Sequence, residues 1–187
     1  LTALYLAKKP AMHRTLLENG ANPFVRSEKR QYSPLEAWCA TFAHVATEAE
    51  KKKSLKIIRS QRITISREQL GQKYWLTRND LVETVKLYQT YQYDINRTTN
   101  LDQQTPLHIA AEQDKYTLMR ILLAAGARGG LKDKNGDDPL NIISRQQQSK
   151  NRHNDYATVV KELVKAGADI NGKDSSGNTP LCNAAMV

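Results

Sequence analysis

Apolar residues along this chain come in short runs at helical spacing, interrupted by glycine, proline and polar clusters. Leu118, Met119, Leu122 and Leu123 fall on one face of a helix predicted from about Tyr116 to Ala125. Just before it, Leu107, Ile109, Ala110 and Ala111 predict a shorter, mostly apolar helix. Thr105 is a suitable N-cap for that helix, and Pro106 suits the first helical position, where its missing N–H costs nothing. The longer helix stops at Gly126, a residue able to take the left-handed conformation that closes a helix C-terminus. Leu131 to Asp137 is polar, and its Asn135-Gly136 pair predicts a tight turn. The unit therefore reads as helix, turn, helix and a protruding, hairpin-like finger.

That unit recurs. Thr105-Pro106-Leu107-His108-Ile109-Ala110-Ala111 returns in weakened form at Asp138-Pro139-Leu140, 33 residues on, and again at Thr179-Pro180-Leu181-Cys182-Asn183-Ala184-Ala185. The helix end Leu122-Leu123-Ala124-Ala125-Gly126-Ala127 returns as Leu163-Val164-Lys165-Ala166-Gly167-Ala168. A single unit cannot bury its own apolar face, so stacking must supply the core. Period and motif together resemble the ankyrin repeat. The resemblance implies an all-α solenoid of stacked helix-turn-helix units with finger loops. It also implies one domain over 1–187, in approximate repeats 1–32, 33–70, 71–104, 105–137 and 138–178 with a half repeat at 179–187.

The repeats are unequal. Thr2 to Ala7 and Thr15 to Asn22 read as a degenerate first pair, while the second opens at Ser33-Pro34-Leu35, with Trp38 where the family has a small alanine. Packing must be rearranged there. Thr41 to Lys53 is rich in Ala, Glu and Lys, which predicts a lengthened helical pair whose second helix ends near Ile57-Ile58. The third repeat is the weakest, with Gly71-Gln72-Lys73 in place of Thr-Pro-Leu. Its second helix, Asp80 to Leu87, and its finger start at Asp94-Ile95-Asn96 are better, although Gln92-Tyr93 replaces Gly-Ala. Gly129-Gly130 reads as a finger that lacks the usual Asp-Val-Asn start. The polar stretch Ser144 to Tyr156 predicts a solvated loop. The chain opens without methionine, inside a helix, so its start is expected to be a cut boundary or a processed end; it stops after the first helix of a sixth repeat, so further repeats or another domain are expected to follow.

Composition narrows the picture. Hydrophobic residues make up 40% of the 187 and aromatics only 6%, which fits an alanine and leucine core rather than an aromatic-rich globule. No run approaches the roughly 18 apolar residues that cross a bilayer, and Lys8-Lys9 follow the first apolar residues in the wrong order for a secretion signal. Two distant cysteines, Cys39 and Cys182, argue against a disulfide framework and for a reducing, cytoplasmic setting. Residues 1–75 carry 14 Lys and Arg against 6 Asp and Glu, net +8, whereas residues 76–187 carry 14 against 13, net +1. Such a field attracts an acidic protein, an anionic surface or a nucleic acid; a soluble, solvated face is the plainer account of Lys51-Lys52-Lys53. Base-stacking aromatics interleaved with the cations are missing, which disfavours nucleic acid.

Candidate chemistry is sparse. His13, His44, His108 and His153 are scattered without metal or triad spacing, so no catalytic residue, metal or cofactor is assigned. His108, inside the motif, is expected to hydrogen-bond the cap or the adjoining finger, and Cys39 with His44 is a poor catalytic pair. Two functions remain: a monomeric protein-interaction scaffold, which the resemblance favours, or a targeting or substrate-recruiting module of a larger enzyme. Degenerate repeats, insertions and Lys, Gln and Asn richness are also similar to ankyrin proteins that intracellular bacterial pathogens secrete into host cells. Matching the sequence to the repeat places Lys29, Arg30, Tyr32, Arg78, Asn79, Glu112, Gln113, Lys134, Asn135, Asp137, Arg145 and Gln146 on one concave partner-binding surface. Each is expected to be free of core duties, and the partner to carry an acidic patch.

Overall fold

The computed structural model of the protein describes residues 3–28, 31–41, 76–98, 101–146 and 155–186. Within them the chain is helical, with no strand. The helices are α1 (Ala3–Leu6), α2 (Pro10–Glu18), α3 (Pro34–Thr41), α4 (Arg78–Thr90), α5 (Pro106–Glu112), α6 (Tyr116–Ala124), α7 (Pro139–Arg145), α8 (Asp155–Lys165) and α9 (Pro180–Ala185).

Local chemistry sets these bounds. Thr105 caps α5, Asp138 caps α7 and Thr77 caps α4, each in a reciprocal box in which the third helical residue reaches back to the cap's N–H. Thr179 caps α9 in the same manner on one side, accepting from the Cys182 amide. Proline opens α5, α7 and α9, as the sequence predicts. At the other ends, Gly126 at φ 95° and Gly167 at φ 97° close α6 and α8 in the left-handed region. Gln92 occupies the same position after α4 with φ 59°, so the glycine missing from the sequence is missing from a conformation that wants one.

The helices form two rows. α1, α3, α5, α7 and α9 stack in sequence in the first row, and α2, α4, α6 and α8 stack in the second. Between α5 and α8 the core is Leu107, Ile109, Ala110, Ala111, Leu118, Met119, Leu122, Ile143, Val159 and Leu163, all buried. Ala110 and Ala111, fully buried and small, let neighbouring helices lie close.

The order of stacking is set by the described helices. α3 packs on both α1 and α5, and α4 packs on both α2 and α6. Among the described residues, α3 and α4 therefore stack in one tier, although 36 residues separate them in sequence. The helix expected up to Ile58, the stretch at Gly71-Gln72-Lys73 and most of the polar loop at 144–156 lie outside the described residues.

Candidate partner-binding surface

The first-row helices stand with their N-termini against the fingers. His108 shows how. The Thr105 N–H donates to its Nδ1 at 3.2 Å, so Nε2 carries the proton and donates to the Asp137 carbonyl oxygen at 3.2 Å, tying α5 to the finger that follows. Burial pushes the His108 pKa down, which keeps the ring neutral in this bridging role. Asn141 in α7 repeats the connection one tier on, its Nδ2 donating to the Gly172 carbonyl at 3.1 Å.

Two fingers share one construction. In the first, Asp133 accepts from the amides of Asn135 (2.8 Å) and Asp137 (3.0 Å); in the second, Asp174 accepts from Ser176 (2.8 Å) and Asn178 (2.9 Å). Arg145, at the C-terminus of α7, then joins them. Its Nη2 donates to Asp137 Oδ2 at 2.6 Å and its Nη1 to Asp174 Oδ2 at 3.4 Å, while Asp137 Oδ1 accepts from the Ser175 amide at 2.9 Å. Burial pushes Asp174 up, but hydrogen bonds from Asn183, Asn178 and Ser176, together with the Arg145 charge, hold it below the usual carboxylate range. The preceding finger is tied in by Lys134, whose ammonium meets Asp102 and whose amide donates to the Asp102 carbonyl at 3.0 Å.

These contacts revise the roster of candidate contact residues. Asp137 is buried and Arg145 is committed to two carboxylates, so neither is free for a partner; both build the surface instead. Gln146 donates to the Glu112 carbonyl at 2.9 Å and so links α7 with α5, while Gln104, just before α5, donates to the Glu112 carboxylate. Gln113 and Asn135 are exposed beside them. Tyr32 is half-buried, and its carbonyl accepts from the Tyr5 hydroxyl at 2.6 Å. Arg78 and Asn79 are not with the others: they open α4 in the second row. Lys29 and Arg30 lie outside the described residues. The turn at Asn135-Gly136 was expected, but the part Asp133 and Asp174 play in holding the two turns was not, although Asp-Lys-Asn-Gly and Asp-Ser-Ser-Gly repeat in register.

Nothing in the described residues assembles three or more His, Cys, Asp or Glu side chains as a metal site. Cys39 is buried in the core, and burial pushes its thiol up to about 12, too high for a nucleophile at neutral pH. No described helix is long and apolar enough to cross a membrane.

The family described as ankyrin repeats (3 copies) matches residues 74–152, the stretch that holds α4 to α7 and the first pinned finger. Residues 74–152 thus match ankyrin repeats. Among curated proteins the chain is similar to a transient receptor potential cation channel subfamily A member 1 homolog of Caenorhabditis elegans, 31% identical over 101 residues, 46% of this chain and 8% of that one. It is also similar to alpha-latroinsectotoxin-Lt1a of Latrodectus tredecimguttatus, 27% identical over 128 residues, 54% of this chain and 9% of the toxin. The chain thus spans less than a tenth of either relative. Ankyrin repeats over this stretch support a protein-interaction module in general kind.

Proposed function

We propose that the finger edge of this array is a preformed docking surface for a protein with an acidic patch. The observation that carries the reading is the Arg145 bridge between Asp137 and Asp174, which pins two successive fingers to the same first-row helix. A surface ordered before contact loses little conformational entropy on binding. The acidic character of the partner rests on the net charge of +8 over residues 1–75, which speeds encounter with an oppositely charged surface. Lys29, Arg30, Tyr32, Gln113 and Asn135 are the contacts proposed, with Glu112, Lys134 and Gln146 held beside them. The compositional likeness to secreted bacterial effectors directs the search for the partner to a eukaryotic cytoplasm.

Affinity capture from a eukaryotic lysate, read by mass spectrometry, supplies the partner. Lys29→Glu with Arg30→Glu should then leave helicity unchanged, weaken binding by about tenfold or more, and flatten its salt dependence. Unchanged affinity and unchanged salt slope would contradict the assignment of the finger edge.

A further inference from the structure

The second row offers a different surface. α4 and α6 stack side by side and leave between them a groove of about 220 Å³. Val82, Ile121 and Ala124 contribute apolar walls, and Arg78, Lys86 and Arg120 contribute charge; no carboxylate lines it. Arg78 and Lys86 are exposed on α4 and have no ion pair within the described residues. Arg120 is shared with Glu162 on α8 at 3.3 Å. The neighbouring groove between α2 and α4 is larger, about 570 Å³, but Glu18 and Glu83 line it and Arg14 is already paired with Glu83 at 2.7 Å. Lys86 lines both grooves, and of the two the one on the α6 side of α4 has no carboxylate in its walls and adds Arg78.

We propose that the α4/α6 groove docks an acidic amphipathic helix of a protein partner. A furrow between two packed helices matches the width of a third helix, and the exposed Ala124 lets that helix come close. Apolar side chains at successive turns would rest on Val82, Ile121 and Ala124, with carboxylates turned to Arg78 and Lys86. Gln89, whose Nε2 donates to the Ala125 carbonyl at 2.8 Å, fixes α4 to the end of α6 and keeps the groove from collapsing. This surface is separate from the finger edge, since the two rows present different helices, and the proposal goes beyond the docking reading given for that edge.

A fluorescein-labelled peptide of about 16 residues, four helical turns with leucine on one face and glutamate on the other, is the probe. Fluorescence anisotropy should show saturable binding to the full chain, weakened about tenfold or more by Arg78→Glu with Lys86→Glu and, separately, by Ala124→Glu. Lys29→Glu with Arg30→Glu should leave this binding unchanged, and circular dichroism should show every variant folded. A peptide with glutamate replaced by lysine, and one with the same composition scrambled, should bind at least about tenfold more weakly. Equal binding of the scrambled peptide, loss of binding only in the Lys29 and Arg30 variant, or no binding at all would overturn the proposal. Binding to vesicles of phosphatidylserine and phosphatidylcholine in preference to the peptide would overturn it too, by assigning the cations to an anionic lipid surface.

Discussion

Between α5 and α8 the tiers meet through leucine, isoleucine and alanine; between α2 and α4 they meet through a histidine, a tryptophan and two tyrosines. His13 is buried with its Nδ1 3.1 Å from the Tyr88 hydroxyl and its Nε2 3.0 Å from the Ala7 carbonyl oxygen. Its ring stands edge-on to Trp38 and to Tyr88. Tyr88 meets Tyr93 edge-on in turn, and the Tyr93 hydroxyl reaches Ser33 Oγ at 2.7 Å. Ser33 is the cap of α3, so this ladder runs from the second row into the cap that the motif would otherwise have provided with threonine. The C-terminal tiers obtain order from a motif repeated along the sequence, whereas the N-terminal tiers obtain it from polar and aromatic side chains that meet across tiers. A repeat can lose its signature and keep its place in the stack when neighbouring tiers supply the missing contacts.

The largest expected effect is in acid, where His13 in the N-terminal half adds to the buried, similarly depressed His108 of the C-terminal half. Burial pushes His13 down to about 4, against 6.5 for an ordinary imidazole. The unfolded chain therefore takes up this proton first, so stability is complete above pH 6.5 and falls as pH drops towards 4. The fall is on the order of 3 kcal/mol. His13→Gln should be less stable at neutral pH but should lose that part of the pH dependence. Equal slopes for both proteins in denaturant titrations across this window would remove His13 as the titrating group.

In the C-terminal half the corresponding weak point is backbone. A Cβ on Gly130 would lie 2.1 Å from the Gly167 carbonyl oxygen, and one on Gly129 2.6 Å from that of Leu163. The finger here passes under the end of α8 with no room for a side chain. Gly130→Ala should cost about 1–3 kcal/mol in chemical denaturation, and a neutral result would show that the finger can lift away.

Arg145→Ala comes next. It leaves Asp137 and Asp174 without their cation, but the arginine side chain is 35% exposed, so solvent softens the loss to about 1–2 kcal/mol. Amide exchange at Ser175 to Asn178 should quicken, and protection unchanged there would mean that the fingers hold without the bridge.

The smallest effect has the opposite sign. Gln92→Gly relieves a left-handed backbone at φ 59° and should stabilise the N-terminal half by about 0.5–1 kcal/mol. Gly126→Val, at φ 95°, should cost more than about 1 kcal/mol for the same reason.

Wherever the determinants are close in sequence, the sequence was enough to read them. Thr105 with Pro106, Asp138 with Pro139, and Gly126 announce helix starts and stops, and the structure has them there. His108 was legible too, because the motif fixes both of its partners. The site was less legible. Arg145 and Asp137 look like free surface charges in one dimension; only folding brings Asp174, 29 residues from Arg145, to the other side of the guanidinium. Arg78 and Asn79 were expected on the concave surface, just after a first helix, and instead open α4 in the second row. The place of α3 beside α4 depends on His13 meeting Trp38 and Tyr88 and on Tyr93 reaching Ser33, all at long range, and no local spacing encodes that.

The measurement that bears most directly on this architecture, and on the α4 grooves built on it, is the separation of α2 from α4. Spin labels at Arg14→Cys and Glu83→Cys, on a Cys39→Ala, Cys182→Ser background, report it by pulsed electron resonance. With α2 and α4 in adjacent tiers, as the 2.7 Å contact between Arg14 and Glu83 requires, helix axes about 8–10 Å apart give a narrow distribution below about 15 Å. A distribution centred at about 20 Å or more would put another helix between them, restore two tiers over residues 33–104, and contradict the account.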